Sequence, residues 1–349
     1  MGNVTIYDIA RRTKLSPSTI SKALNNYPTI PEATKKKVAK ACKDMGYIPN
    51  VSAKSLSKRS SRNVGILAYF GLDISPFRMP LFMGILDSFQ REMNEKNYDL
   101  LFIGKSVAGR EGTFYENCIS RDVAGVLLLG RLDSKQMEEV IDSPLPSVGF
   151  DYGGEKMTGV ASDNYAAAKK LTSHLLSLGH KNIVFVHGED NFPTQERIRG
   201  FLDAFEEKGI APTRDPLVEA QYLDAASVKN LTSNLLRRIN PPTAILFPDD
   251  TSAVSGLSAI SEAGLSCPKD ISIAGFDGIE TSQLVTPHLT TVKQDLDKIG
   301  KALANELILA MEEGGAYFPR KIVIPSTLLL GQSTGKKEKE TEEPSDSKG

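Results

Sequence analysis

The stretch that decides the fold lies near the N-terminus, where residues 4–25 read VTIYDIARRTKLSPSTISKALN. Thr5 is suited to cap a first helix, because its hydroxyl can accept a hydrogen bond from the first turn. Asp8 then lies where a negative charge interacts favourably with the helix dipole. Ser16 and Pro17 are typical of the start of a second short helix, since Ser caps and Pro fits the first helical position. The pattern predicts two short helices joined by a tight turn.

A third amphipathic helix is expected over residues 31–45, with Gly46 as its end. Two short helices braced by a third predict a helix-turn-helix headpiece, which we assign to residues 1–49. The charge of this region is unusual for the chain. Residues 1–62 hold 13 Lys and Arg against 3 Asp and Glu, although the whole chain has a net charge of −1. A basic module on an acidic body indicates contact with a polyanion.

The second helix of such a headpiece lies in the major groove of DNA, so its outward side chains are the candidates for reading bases. Those positions are Pro17, Ser18, Ser21 and Lys22. Phosphate contacts are expected from polar side chains around them. The phosphate-binding candidates are Tyr7, Thr19 and Asn25, and the capping residues Thr5 and Ser16 complete the predicted DNA-binding set of the headpiece.

From Tyr47 the chain becomes a Ser- and Lys-rich linker, in which residues 50–62 are predicted to form a hinge. Its serines lower helix propensity, so the short helical pattern around Ala53 is weak by itself. Leu56 is the one bulky apolar side chain there. It can act as a wedge between base pairs in the minor groove, or it can pack on the next domain, and the sequence leaves both interpretations open.

Residues 4–25, the run Tyr47-Ile48-Pro49-Asn50 and the pair Ala53 and Leu56 together resemble the headpiece and hinge of the lactose repressor/galactose repressor family. The resemblance implies that Pro17, Ser18 and Lys22 read bases. It also implies that a hinge helix with Leu56 as its lever folds on operator DNA, with Asn50 and Ala53 as further DNA-binding residues. The implied protein is a homodimer on a near-palindromic operator.

Beyond residue 62, short apolar runs alternate with amphipathic stretches, as in parallel sheets covered by helices on both faces. The strand-like runs are residues 64–69, 100–103, 123–129, 146–150, 183–187, 244–247 and 271–276. The helix-like stretches are residues 81–94, 164–178, 195–208, 225–238, 251–263 and 296–313. The predicted fold class is therefore an all-α headpiece followed by a two-lobed α/β core. We assign that core to residues 63–331, with lobes over 63–161 and 162–290 and crossovers over 291–331.

A ligand-binding cleft is expected between the lobes, because open α/β sheets bind ligands beyond the carboxyl ends of their strands. Acidic residues follow several strands, and an arginine lies in the motif Arg-x-x-Gly-Phe that begins at residue 197. Carboxylates accept from paired hydroxyls and a guanidinium donates in a fixed fork, which suits a hydroxyl-rich solute. Surface ion pairs and loop caps are the alternative for each residue taken singly.

The body also resembles the regulatory core of the same family, which is similar to periplasmic sugar-binding proteins, and the likeness covers residues 4–331. It implies effector contacts from Arg197 and Asp277 first, and from Asp151 and Asp250 second. Phe77 and Arg78 match positions where the family often has aromatic side chains against the ligand. Arg78 departs from that pattern, which would favour a charged or more polar effector.

Other classes of function find less support in the sequence. The four histidines lack metal-ligand spacing, and no catalytic or phosphate-loop motif is present, so we expect no metal, no cofactor and no enzyme. A sugar-binding transport component would need an export signal and no basic headpiece. Three widely spaced cysteines fit a reducing compartment, and we expect a cytoplasmic protein without membrane contact. Residues 332–349 are predicted to be a disordered tail. Within the regulator class, control by a phosphorylated partner protein remains an alternative to control by a sugar.

Overall fold

The computed structural model describes residues 4–24, 27–47, 61–70, 76–107, 110–132, 134–220 and 225–337. The chain falls into two compact units, residues 1–61 and residues 62–349. Most of the predicted hinge, residues 50–60, lies outside the described residues. No helix within the described ranges is long and apolar enough to cross a membrane.

The first unit is a bundle of three helices, α1 (Ile6–Thr13), α2 (Pro17–Leu24) and α3 (Glu32–Met45). The predicted cap of α1 is present as a capping box, in which Thr5 and Asp8 each accept a hydrogen bond from the other's backbone N–H. Gly46 ends α3 in the left-handed conformation, with φ of 66°. The small core of this unit consists of Ile9, Ala10, Ile20, Ala23, Val38, Ala41 and Cys42. These apolar residues follow the helical spacing that the sequence predicts.

The second unit begins with a six-stranded sheet, all of whose neighbouring strands are parallel, in the order β13-β7-β6-β5-β1-β2. Its strands are β1 (Asn63–Tyr69), β2 (Asp99–Phe102), β5 (Val123–Gly130), β6 (Ser147–Phe150), β7 (Thr158–Ser162) and β13 (Lys321–Ile324). A short hairpin, β3 (Ser106–Val107) and β4 (Arg110–Glu111), follows β2. We call this sheet and its helices the first lobe.

Two pairs of helices cover the faces of the first-lobe sheet. They are α4 (Pro80–Glu95), α5 (Phe114–Ser120), α6 (Lys135–Ile141) and α11 (Leu296–Glu313). One core cluster joins α4 and α11 to the sheet, through residues such as Phe89 and Leu303. A second cluster joins α5 and α6 to the opposite face, through residues such as Phe114 and Met137. Burial on both faces explains why the strand Val123–Gly130 is almost continuously apolar.

The second lobe contains a four-stranded parallel sheet in the order β11-β10-β8-β9. Its strands are β8 (Ile183–His187), β9 (Leu217–Glu219), β10 (Ala244–Leu246) and β11 (Ser272–Ala274), and its helices are α7 (Asn164–Ser177), α8 (Phe192–Glu207), α9 (Ala225–Leu236) and α10 (Asp250–Glu262). The pair α7 and α8 covers one face, and the pair α9 and α10 covers the other. A small antiparallel pair, β12 (Thr291–Lys293) and β14 (Thr327–Leu329), completes the lobe.

The chain passes between the lobes three times. It leaves the first lobe after β7, returns between β12 and α11, and leaves again between β13 and β14. These crossings are held together, because the Asp163 N–H donates to Ile324 O and the Ser162 hydroxyl donates to Gln294 Oε1. Three adjacent crossings of this kind are the type of connection about which two-lobed domains change their mutual angle.

The C-terminal part of the chain differs from the prediction in two respects. Helix α11 and strand β13 complete the first lobe instead of forming a separate crossover segment. The core also extends past residue 331. Ser333 is fully buried and its hydroxyl donates to Ile273 O, while the Lys337 N–H donates to Leu178 O. Residues 332–337 therefore belong to the second lobe, and the predicted start of a disordered tail at residue 332 is wrong.

Candidate functional site

The outward face of α2 carries the polar side chains that the sequence predicts for base contacts. Ile20 and Ala23 are buried in the headpiece core, so the opposite side of the helix faces outward. Ser18 and Lys22 are exposed, while Pro17 and Ser21 are half-buried. An exposed hydroxyl and an exposed ammonium on one helix face can donate to base edges or to phosphates.

Several of the other predicted DNA-binding residues lie at the N-termini of α1 and α2. Ser16 caps α2, because its Oγ accepts from the Thr19 N–H at 3.1 Å and lies 2.8 Å from the Thr19 hydroxyl. Thr5 caps α1, and Tyr7, two residues further along the chain, is 65% exposed. Helix N-termini with exposed hydroxyls suit phosphate oxygens. The other predicted DNA-binding residues, Asn25, Asn50, Ala53 and Leu56, lie outside the described residues.

The second unit has a cavity of about 470 Å³ between its two lobes, a size typical of small-molecule sites. Its polar lining consists of Arg131, Asp151, Tyr152, Glu189, Asp190, Asn191, Gln195, Arg197, Asp249, Thr251 and Asp277. Its apolar lining includes Phe70, Met79, Leu81, Phe82, Leu132, Phe150, Phe192, Pro193, Pro248 and Ile279. Both lobes contribute, so the cavity is the cleft that the sequence predicts.

Arg197 is held rigidly in this cleft by the second lobe. Its Nε donates to Asn164 Oδ1 at 2.7 Å and its Nη1 donates to Pro248 O at 2.9 Å. The guanidinium carbon lies 3.6 Å from the centre of the Phe276 ring. Only 5% of the residue is exposed. A guanidinium stacked and hydrogen-bonded in this way keeps one orientation toward a ligand.

Asp151 and Asp277 come from the ends of strands in different lobes and both line the cleft. Both have positive φ, 55° and 104°, an unusual backbone for residues other than glycine. Burial raises the pKa of Asp151 to about 6, against the opposing effects of Arg197 and of a hydrogen bond from Asn164. Burial raises the pKa of Asp277 to about 7, and a hydrogen bond from Gln294 at 2.7 Å opposes it. Such shifts are typical of functional clefts.

Of the neighbouring residues Asp249 and Asp250, the second was predicted as an effector contact, but only the first lines the cleft. Asp250 is fully buried and does not line the cleft, because its carboxylate accepts from the Thr291 hydroxyl and the Ile279 N–H. Asp249 lines the cleft and caps α10. The prediction of Asp250 as an effector contact is therefore not supported, and Asp249 becomes the candidate effector contact in its place. Helix capping is the signal that could have found Asp249, since it precedes an amphipathic run that contains Ser252.

Phe77 and Arg78 are not brought to the cleft. Both are exposed on a short 3-10 turn, and the Phe77 ring packs against Phe102 with 4.9 Å between centroids. Neither lines the cavity, so their prediction as effector contacts is not supported. The aromatic wall comes instead from Phe70, Phe82 and Phe150, three rings that stack edge to face. They could not be predicted as site residues, because nothing in the sequence distinguishes these phenylalanines from those of the hydrophobic core.

Two contacts join the lobes across the mouth of the cleft. Arg131 of the first lobe forms an ion pair with Glu189 of the second, at 3.2 Å. The ring of Phe192, at the start of α8, lies against the backbone of Gly153, where an added Cβ would come within 2.4 Å of the ring. The lobes therefore touch in this structure. Among the described residues, no group of His, Cys, Asp and Glu could hold a metal ion.

Two family models match the chain. The model described as "Bacterial regulatory proteins, lacI family" matches residues 5–50. The model described as "Periplasmic binding protein-like domain" matches residues 172–334. The first match covers the headpiece with its two capped helices, and the second covers the second lobe with Arg197.

The chain is 30% identical over 315 residues to the probable HTH-type transcriptional repressor ExuR of Bacillus subtilis, with 89% of this chain and 92% of the relative covered. It is also 30% identical over 339 residues to catabolite control protein A of Priestia megaterium, covering 95% of this chain and 99% of the relative. Among solved structures, a lac repressor dimer bound to operator and an anti-inducer is 23% identical, with a TM-score of 0.80 over 96% of this chain and 100% of that chain.

These comparisons confirm the predicted fold class, a headpiece followed by a two-lobed periplasmic-binding-protein-like core. Several relatives of similar identity are named as HTH-type transcriptional repressors or regulators. The chain belongs to the lacI family of bacterial regulatory proteins.

Proposed function

We propose that this protein represses carbohydrate-utilisation genes by binding operator DNA as a homodimer, and that a carbohydrate effector in the cleft controls its operator affinity. The observation that carries the proposal is one chain with both a basic helix-turn-helix and a cleft whose carboxylates surround Arg197. We place the protein in the cytoplasm, where such DNA is accessible.

The DNA-binding half of the proposal rests on the headpiece. We assign base contacts to Ser18, Lys22 and their neighbours on α2, because these side chains face outward and are able to donate hydrogen bonds. The residues that cap α1 and α2 are assigned to phosphates. Two headpieces related by a two-fold axis require a near-palindromic site. The lac repressor structure that the chain resembles, a dimer bound to operator, supports this arrangement.

The effector half of the proposal rests on the polar cluster in the cleft. Asp151, Asp249 and Asp277 provide acceptors for sugar hydroxyls, and Arg197 provides donors in a fixed plane. We exclude Phe77 and Arg78 from the site. An effector that contacts both lobes favours one angle between them, and the three chain crossings transmit that angle toward residue 62. Coupling of about 1–3 kcal/mol changes operator affinity by about 5–150-fold.

The first experiment tests the DNA-binding half of the proposal. Duplexes bound by the purified chain are selected from genomic DNA, and operator affinity is measured as a function of salt. Lys22→Ala is expected to weaken specific binding by about 1–3 kcal/mol if Lys22 reads a base, or to lower the salt slope by about 1 if it binds a phosphate. The control Lys181→Ala removes an exposed lysine from the surface of the second lobe, far along the chain from the headpiece. Equal behaviour of Lys22→Ala, Lys181→Ala and the unmodified chain would refute the assignment.

The second experiment tests the effector half. Arg197→Lys keeps the positive charge but loses the planar fork, so operator binding should persist while the response to sugars disappears. A variant that still responds normally places the effector elsewhere. An operator affinity that responds to a phosphorylated partner protein and to no small molecule would replace the sugar by that partner.

A further inference from the structure

We propose that Asp249 makes the cleft selective for uncharged polyhydroxyl effectors and against anionic ones such as uronates and sugar phosphates. The inference rests on the proposed function, because it assumes that the cleft binds an effector. It concerns the charge of that effector, which the family does not determine, and it names one side chain as the origin of the selectivity.

Acidic groups outnumber basic ones around the cavity. The described lining residues include five carboxylates, those of Asp151, Glu189, Asp190, Asp249 and Asp277, and two guanidinium groups, those of Arg131 and Arg197. Even with Asp277 counted as neutral, because its pKa is about 7, four carboxylates remain against two guanidinium groups, so the lining keeps an excess of negative charge. An anionic ligand would bring a further negative charge close to these carboxylates, which is unfavourable.

Both cations of the described lining already have acidic neighbours. Arg131 is paired with Glu189 at the mouth of the cleft. The charge of Arg197 lowers the pKa of Asp151, Asp249 and Asp277, so one guanidinium interacts with three carboxylates. A ligand carboxylate or phosphate would have to compete with these side chains for the same guanidinium. Within the described lining an anionic sugar would therefore find no cation without an acidic neighbour.

Asp249 occupies the position at which an anion would otherwise bind. Helix α10 begins beside the cavity, and the N-terminus of a helix attracts anions through its free N–H groups. Here the Asp249 carboxylate accepts from the Ser252 N–H at 2.7 Å and from the Ser252 hydroxyl at 2.8 Å. Burial raises the pKa of Asp249, but these two hydrogen bonds and Arg197 favour its ionised form. The protein thus supplies its own anion at this helix end.

The remaining acceptors and the apolar wall suit a neutral sugar. Asn164 and Gln294 bind Oδ1 of Asp151 and of Asp277, and within the described residues no hydrogen bond is made to Oδ2 of either. Those oxygens can accept from hydroxyl groups of a ligand. The rings of Phe70, Phe82 and Phe150 give the first-lobe side of the cleft an apolar surface, against which the C–H face of a sugar ring can pack.

The test uses pairs of sugars that differ only at C6, where a neutral CH2OH group is replaced by a carboxylate. Glucose and glucuronate, galactose and galacturonate, and mannose and mannuronate are titrated into the full-length protein, together with cellobiose, glucose 6-phosphate and glucosamine. Binding is measured by calorimetry and by the change in operator affinity. We expect an uncharged sugar to bind at least about 10-fold more tightly than its anionic partner, which corresponds to about 1.4 kcal/mol.

Asp249→Asn isolates the proposed cause, because Asn caps a helix as well as Asp does and removes only the charge. This variant should bring the affinities of the neutral and anionic partners closer together. The matched control is Asp163→Asn, since Asp163 caps α7 in the same way but does not line the cavity. The control should keep the selectivity of the unmodified protein.

The outcomes separate this inference from the proposed function. Anionic sugars that bind as tightly as their neutral partners, or an Asp249→Asn variant with unchanged selectivity, overturn the inference while effector binding stands. Tighter binding of glucuronate than of glucosamine also overturns it, because an excess of negative charge should favour the cationic sugar over the anionic one. If no sugar binds and operator affinity responds to none of them, the effector half of the proposed function fails together with the inference.

Discussion

Gly153→Ala tests whether the contact between the lobes at the mouth of the cleft controls effector binding. Gly153 belongs to the first lobe and Phe192 begins α8 of the second. A Cβ at residue 153 would lie 2.4, 2.7 and 3.0 Å from three carbons of the Phe192 ring. Contacts this short force the ring or the whole lobe to move, so the substitution opposes the arrangement in which the lobes touch.

The size of the effect follows from the cost of adding a methyl group to a packed contact, which is about 1–3 kcal/mol. The cost applies only when the lobes are together, so it lowers the population of the binding-competent arrangement. Effector affinity falls in proportion to that population, by about 5–150-fold. Operator affinity in the absence of effector should change in the direction opposite to the change that the effector causes, because the same angle between the lobes is coupled to DNA binding.

The assay is calorimetric titration of the effector that emerges from the sugar panel. Gly104→Ala is the matched control, since Gly104 also lies in the first lobe and a Cβ there meets no atom within 4 Å. A second comparison places Gly153→Ala in a Phe192→Ala background, where the ring is gone and the added methyl group should cost almost nothing. Unchanged effector affinity of Gly153→Ala, or the same loss in both backgrounds, would refute the reasoning.

Three further predictions concern other parts of the protein. Glu189→Gln should change effector affinity less than about 5-fold, and less at high salt, because its ion pair with Arg131 is about half exposed; the measurement is titration at two ionic strengths. Because the folded-state pKa of Asp277, about 7, lies above its ordinary value of 3.8, this group favours folding most at low pH; its contribution is lost as the pH rises from about 4 to about 7. Asp277→Asn should therefore remove that part of the pH dependence of the unfolding free energy, measured by denaturant unfolding at several pH values. An unchanged pH dependence would contradict the assignment. Thr5→Ala should destabilise α1 by about 1 kcal/mol, visible as faster amide exchange, and Thr5→Ser should keep the cap.

The headpiece could be predicted from sequence because its signals are local. Each residue that marks a helix end lies within a few residues of the backbone groups that it affects. These residues are Thr5, Asp8, Ser16 and Gly46. Helix caps and apolar spacing act over one or two turns, so the same residues produce the same boundaries before any tertiary contact forms. The predicted starts of α1 and α2 and both predicted ends of α3 therefore differ little from those in the structure.

The core could be predicted only in part. Strand β8 (Ile183–His187) has the predicted bounds, because it is apolar, β-branched and buried on both faces. The strand β7, which reads TGVAS, and the helices α5 and α6 were missed, since short segments with Gly, Ser or few apolar residues carry weak patterns. The last part of the predicted crossovers over residues 291–331 instead forms two strands, β13 and β14, in different lobes.

The sequence by itself determined the class of this protein: a basic three-helix headpiece, a two-lobed α/β core, and Arg197 and Asp277 as candidate effector contacts. Only the tertiary structure decided which side chains reach the cleft. It placed Asp249 there and buried Asp250, placed Phe82 there and left Phe77 outside. The physical reason is that a cleft is built from segments far apart in sequence, and which of two neighbouring residues faces it depends on the exact start and packing of each helix, which adjacent residues alone do not specify.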